Sequence, residues 1–358
     1  ARSPDAILTF SERMLRHTAA LAEGLGLPFH TTATTELLTD KHCQRQALRE
    51  AGVDSVRSCL LSRAEDLPAA IEAAGLPAIV KPRRSEGSRN TFLVADAARG
   101  AELVAALLGQ GERELVVEEL LRGRDSAPYG DYVSVESLVA GGEVTHLAVT
   151  GKLPLVPPFR EIGHFWPAAL PEPDRNAVED LARDALRGLG AHLGIFHTEV
   201  KLTPCGPRII EVNGRLGGLV NELSVPAAGV DLIEVAGRLA LGDRAPCFAV
   251  RDDAVFYLHH NPAPTVPCRL DSVDGARDVR SLPGVRSYRI VIRPGSAIEG
   301  GVHTNLLDVL GGQAPDHATM LATIDAALDA LRFTFTLPSG PVTVPARSLR
   351  RSWEDLSA

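Results

Sequence analysis

The stretch FHTEVKLTPCGPRIIEVNGRLGG, residues 196–218, constrains the fold of this chain more than any other. Two apolar, β-branched runs flank TPCGP, which reads as a hairpin. A turn centred on Cys205 sets Glu199 opposite Glu211, and period-two alternation puts His197, Glu199 and Lys201 on one face with Ile209, Glu211 and Asn213. Phe196, Val200, Leu202, Ile210 and Val212 then form the core face. Like charges directly opposed, with Cβ atoms ~5 Å apart, destabilise a strand pair unless something positive lies between them. A divalent cation meets that need. Two carboxylates and the Asn213 amide oxygen are hard oxygen ligands, suited to Mg²⁺, with Mn²⁺ as an alternative. Because magnesium keeps positions open for water and phosphate oxygens, the set implies a nucleotide. The competing reading is a solvated face on which Lys201 or Arg208 relieves the charge.

If a nucleotide binds, its phosphates need cations and backbone donors elsewhere in the chain. Neither GxxxxGK[ST] nor GxGxxG occurs. Lys81 ends the apolar strand LPAIV and meets Pro82, so its ammonium projects over the loop RRSEGSRN, where Gly87 and Ser88 expose backbone N–H groups. Lys41, on the first turn of a helix that Thr39 or Asp40 caps and Gly52 ends, is a second candidate. Taken alone, Lys41 reads more readily as a solvated surface residue than as a phosphate ligand, and Lys81 reads equally as either. In VVEELL, main-chain groups at a strand edge suffice to hold an adenine. His259 and His260 are adjacent strand residues facing opposite sides with no third ligand in view, and read as structural.

The chain has 358 residues, enough for two or three domains. Its net charge of −8, from 37 Lys plus Arg against 45 Asp plus Glu, speaks against a general nucleic-acid or anionic-membrane surface. No apolar run reaches the ~20 residues of a membrane span. Cys43, Cys59, Cys205, Cys247 and Cys268 show no zinc-ligand spacing and fit free thiols in a reducing compartment. The start, ARSPDAILTF, has no signal-peptide pattern, so the expected location is the cytoplasm.

Ala6 to Phe10 read as the end of a buried strand, and Ser11 as the cap of a helix carrying Met14, Leu15, Ala19 and Ala22. Further elements are a strand in VRSCLLS, a helix near Glu65 to Ala74, strands in ELVVEELL and YVSVESLVA, and a helix from Asp174 with Val178, Leu181, Ala185 and Leu189 on one stripe. Beyond about residue 245 short pieces such as AVFYLHH and SYRIVIRP predict a small β-rich domain closed by the helix HATMLATIDAALDALR.

Taken together, Lys41, IVKP with Lys81, VVEELL, EVKL from Glu199 and EVNGR at 211–215 resemble the ATP-grasp superfamily in order and spacing, most closely its L-amino acid ligase branch, over about residues 6–340. The resemblance implies an α/β (α+β) fold: two α/β subdomains gripping ATP, a partial N-terminal α/β domain and a small β-rich C-terminal domain. The corresponding boundaries are 1–38 for the N-terminal remnant, 39–112 and 113–245 for the two ATP-grasp subdomains, 246–345 for the β-rich domain and 346–358 for a tail. It further implies that Lys41 and Lys81 hold ATP phosphates, that Ser85 to Asn90, with Gly87 and Ser88, cover them, and that the backbone of Glu118 and Leu121 reads adenine. Asp131 stands near a ribose-binding acid, and Glu199, Glu211 and Asn213 match the metal triad. Arg215 matches the arginine at the transferred phosphate and the reacting carboxylate, while Glu161 and His164 in REIGHFWPA resemble an acid and a histidine of the amino-acid pocket.

The activity so implied is ATP-dependent joining of an amino acid's carboxylate to an amine through an acyl phosphate, with release of ADP and phosphate. The partners are then small-molecule amino acid and amine substrates, without nucleic acid or membrane, and a homodimer is compatible. Two other readings are a biotin- or purine-type carboxylase, disfavoured by the short single-glycine loop RRSEGSRN, and a nucleotide-binding module without turnover, disfavoured by retention of Arg215 with the full metal set.

Overall fold

The computed structural model describes residues 3–243 and 249–351. Cys247, the boundary expected at 245/246 and the end of the 346–358 tail lie outside the described residues. Helices α1 (Leu15–Leu25), α2 (Thr32–Thr39) and α3 (Lys41–Glu50) come first. A small α/β unit follows: β1 (Ser58–Leu61), α4 (Leu67–Ala74), β2 (Ala78–Pro82), β3 (Phe92–Val94), α5 (Ala97–Gly109) and β4 (Leu115–Glu119), its strands ordered β1-β4-β2-β3. The chain continues through β5 (Tyr132–Ala140), β6 (Glu143–Lys152), β7 (Gly163–Trp166), α6 (Glu172–Gly188), β8 (Leu193–Thr203), β9 (Gly206–Asn213), α7 (Val220–Ala228) and α8 (Leu232–Ala240). It ends with β10 (Val255–His259), β11 (Cys268–Asp274), α9 (Ala276–Arg280), β12 (Val285–Ile290), β13 (Ala297–Ile298), β14 (Asp308–Ala314), α10 (His317–Ala330), β15 (Arg332–Leu337) and β16 (Gly340–Pro345).

The main sheet has eight antiparallel strands in the order β12-β14-β10-β7-β6-β5-β8-β9. The sequence's change of texture near residue 245 is therefore not a change of sheet. β10, β12 and β14 extend the sheet begun by β5 to β9, and only β13-β11-β15-β16 form a sheet of their own. One core of the main sheet joins Val133, Val135, Phe196, Val200, Ile209 and Val212 to the apolar stripe of α6. That stripe carries Val178, Ala182, Ala185 and Leu186, spaced three and four apart. α6 itself begins at Glu172, ahead of the expected Asp174, because Pro173 occupies its first turn.

Ala6–Phe10 is not a strand. A strand needs a neighbour for its N–H and C=O groups, and this segment pairs with none; Leu8 and Phe10 are exposed. Ser11 precedes a short 3-10 turn without capping it through its side chain, and Met14 is exposed while Leu15, Ala19 and Ala22 are buried. Asp40 does cap α3, accepting from the amides of His42 and Cys43. Among the described residues Cys43, Cys59, Cys205 and Cys268 are free, and no helix is long and apolar enough to cross a membrane.

Candidate active site

The cap at Asp40 fixes where Lys41 begins α3, and from there its buried ammonium reaches Glu211 at 3.0 Å and donates to the Ser85 carbonyl at 2.7 Å. This ties the helix to β9 and to the polar loop after β2. Lys81, near the end of β2, meets Glu118 of β4 at 2.8 Å. Arg45, one turn along α3 from Lys41, contacts the same Glu118 at 3.0 Å and donates at 2.7 Å to the carbonyls of both Ile209 and Ile210. Burial opposes the charge on Glu118, but Arg45 and Lys81 outweigh it and hold the carboxyl down at about 2. The Glu118 side chain is thus the anion that sets Lys81 and Arg45 in place, a task separate from the backbone role expected at this position.

On the other side of the cleft, Glu199 pairs directly with Glu211, and His197 with Asn213. The route to that register differs from the symmetric turn expected from sequence. Pairing nearest the turn joins Thr203 to Gly206, Lys201 to Arg208 and Val200 to Ile209, and a bulge between Glu199 and Val200 restores the carboxylate pair. The extra residue is Ile210. Consequently Ile209 enters the core and Ile210 faces the cleft, the reverse of the expected assignment.

Cations meet the carboxylates at both ends. Lys41 contacts Glu211, and His197 Nε2 lies 3.6 Å from Glu199 while its Nδ1 is 2.9 Å from buried Glu136. Burial disfavours the imidazolium, but Glu136 dominates and lifts His197 to about 9. Lys201 and Arg208, the expected sources of relief, are committed elsewhere, to Asp131 and Asp54 at 2.6 Å each. Burial also raises Glu211, yet Lys41, Lys81 and Arg215 leave it below the ordinary carboxylate range. With Asn213 beside them these carboxylate oxygens form an all-oxygen donor set that fits Mg²⁺ or Mn²⁺.

Beyond the hairpin lies a second polar group. Lys152, buried at the end of β6, reaches Glu161 at 2.9 Å, and the Tyr132 hydroxyl donates to the same oxygen at 3.3 Å. Burial works against ionised Glu161, but Lys152 holds it well below its usual range. His164 is pushed down to about 3 by burial and then by Lys152, so it is neutral; both its ring nitrogens are buried without partners. Arg215 reaches Glu12 at 2.8 Å.

Many of these groups line one cavity of about 520 Å³. Lys41, Lys81, Ser85, Gly87, Ser88, Glu118, Leu121, Glu161, His164, Glu199, Glu211, Asn213 and Arg215 all line it. Asp131 does not, although it pairs with Lys201, which does. Sequence reading missed Glu12, Arg45, Tyr132, Lys152 and the Glu136–His197 pair, and it left His260, another lining residue, as structural. Only His197 carried a signal, through its alternation with Glu199.

No protein-family model matches the chain. It is similar to an uncharacterized protein of Sinorhizobium fredii, 28% identical over 326 residues covering 88% of this chain and 65% of that one. It is also similar to alanine–anticapsin ligase of Bacillus subtilis, 30% identical over 231 residues covering 60% of this chain and 49% of that one. The chain thus spans 49% to 65% of the length of these two relatives. Among solved structures, the L-amino acid ligase from Bacillus licheniformis matches with a TM-score of 0.77 at 23% identity, over 91% of this chain and 79% of that one. The biotin carboxylase domain of Hydrogenobacter thermophilus 2-oxoglutarate carboxylase, solved with MgADP and bicarbonate, matches with a TM-score of 0.67 at 19% identity, over 94% and 74%. Two subdomains closing on a cleft of lysines and opposed carboxylates define the ATP-grasp class of fold. The chain has this fold, and of the two sequence relatives the one with a named activity is an alanine–anticapsin ligase.

Proposed function

We propose that the protein is an ATP-dependent carboxylate–amine ligase that activates an amino acid as an acyl phosphate and joins it to an amine, releasing ADP and phosphate. The observation that carries the reading is the placement of Lys41, Lys81, the Glu199/Glu211/Asn213 set and Arg215 on one cavity that also holds Glu161 and His164. Lys41 and Lys81 are suited to ATP phosphates, and the edge after Glu118, with Leu121, to adenine. Glu199, Glu211 and Asn213 would hold Mg²⁺, or Mn²⁺. Bound there, the ion would offset negative charge on the phosphates.

A carboxylate resists amines because its charge repels them and oxide leaves poorly. Transfer of the γ-phosphoryl group to a carboxylate oxygen breaks the bond to ADP and gives an acyl phosphate. The amine lone pair then attacks the acyl carbon, the C–O bond to phosphate breaks with its electron pair, and the amine proton is released. Arg215, always charged and able to bind in a fork, suits the carboxylate and the later oxyanion. Glu161, already committed to Lys152 and Tyr132, suits anchoring an ammonium. Neutral His164, with both nitrogens free of partners, would suit a hydrogen bond to the substrate amine.

The test is phosphate release from MgATP over pairs of common amino acids and amines, with mass spectrometry of products. ADP and phosphate formed only when both substrates are present support the reading. AMP with pyrophosphate, or turnover that requires bicarbonate, excludes it.

A further inference from the structure

His260 follows β10 and is stapled to the segment that carries Glu161. Its amide donates to the Ile162 carbonyl at 2.9 Å, and its ring Nε2 lies 2.8 Å from the Glu161 carbonyl oxygen. A carbonyl only accepts, so Nε2 carries the proton. In a neutral imidazole the other nitrogen, Nδ1, then holds a lone pair and can only accept. The neutral form is the one expected, since burial pushes His260 down to about 4 even against the pull of Glu161. The residue is 2% exposed, lines the cavity, and its Nδ1 has no partner in the protein.

An unpartnered acceptor in a buried wall costs free energy and calls for a donor. Lys152, the nearby cation, is engaged with Glu161. A ligand bearing N–H or O–H groups is the remaining source. The geometry points to His260 as a substrate-positioning residue whose Nδ1 accepts a hydrogen bond from the ammonium of the bound amino acid, next to the Glu161 carboxylate. This rests on the ligase reading and adds to it a requirement for a free amino group on one substrate. It also separates two functions of one ring: Nε2 holds the Glu161 backbone, and Nδ1 serves the ligand.

Two substitutions distinguish those functions. In H260Q the amide nitrogen replaces Nε2 and keeps the bond to the Glu161 carbonyl, while the acceptor is lost; in H260N the amide oxygen falls near Nδ1. The measurements are phosphate release with MgATP and thermal melting. The probes are L-alanine against propionate and L-phenylalanine against hydrocinnamate, the latter of each pair lacking the amine. H260Q is expected to raise the amino-acid KM roughly tenfold with the ATP KM within about twofold of wild type, as loss of one ligand hydrogen bond would. It should also erase the wild-type preference for the amino acid over its desamino partner, and H260N should restore part of that preference. Wild-type amino-acid KM in H260Q, or a rise in both KM values together with lower melting, overturns the assignment while leaving the ligase reading intact. A wild-type enzyme that makes no preference between the paired acids overturns it without any variant. A wild-type enzyme that releases phosphate from MgATP with neither acid nor amine present sinks both.

Discussion

Glu12 Oε2 lies 2.8 Å from Arg215 Nε, so a carboxylate from the N-terminal segment occupies an arginine that lines the cavity. Burial pushes the Glu12 carboxyl from about 4.5 up to about 7 despite Arg215. Because the folded value is the higher one, folding favours the protonated form. That contribution is complete below about 4.5 and is lost as pH rises through about 7. Stability of wild type relative to E12Q should therefore decline across this interval by up to ~3 kcal/mol and be flat outside it. Urea unfolding of both proteins at a series of pH values measures this; parallel curves would show that Glu12 does not titrate there.

The buried Arg45–Glu118–Lys81 group gives the opposite sign. Glu118 is held at about 2, below its ordinary 4.5, so its contribution is present above 4.5 and lost as pH falls toward 2. Removing the anion alone, as in E118L, leaves two buried cations without their shared carboxylate and should cost about 3–5 kcal/mol. K81M leaves Glu118 paired with Arg45 and should cost less in stability while weakening ATP binding at least about tenfold. Chemical denaturation and calorimetric titration with ATP separate the two effects.

What could be read from the sequence followed from local chemistry. Asp40 caps α3 because a short acidic side chain before a helical run satisfies free amides, and that cap alone places Lys41. The Glu199–Glu211 pair was legible through strand alternation, but the bulge that produces it was not, since an extra residue leaves no mark in an apolar run such as RIIEV. Ile209 and Ile210 exchanged faces for that reason. Lys152, Glu136 and Arg45 could not be found at all: each lies in an ordinary strand or helix and gains its meaning from partners 9, 61 and 73 positions away. The Ala6–Phe10 segment failed from the other direction, because apolar composition indicates burial without supplying a partner strand.

Metal dependence can be tested at Glu199, whose side chain is 28% exposed and contacts only His197 among the site's cations. E199Q keeps the shape of the hairpin, so melting without ligand should change little. Wild type with MgATP at a hundred times its Kd should gain about 2.7 kcal/mol. In E199Q the part of that gain which depends on magnesium should be lost, leaving the smaller effect of ATP with EDTA. An equal gain in both proteins would remove Glu199 from the metal set.

Gly217 and Gly218 adjoin Arg215 and differ in what surrounds them. A Cβ on Gly217 would lie 2.4 Å from His197 Nδ1 and 2.8 Å from Val220 Cγ2, and neither neighbour is free to move: Glu136 fixes His197, and Val220 is in the core. G217A should therefore destabilise the fold by about 1–3 kcal/mol and turn His197 away from Glu136. A Cβ on Gly218 meets nothing within 4 Å, yet Gly218 lines the cavity. G218A should melt like wild type, within about 0.5 kcal/mol, and act only on the space open to ligand, raising substrate KM. Melting curves and substrate titrations on the two variants give opposite patterns if the backbone after Arg215 closes on the reacting group. If G218A leaves every KM unchanged, that stretch of backbone has no part in the site.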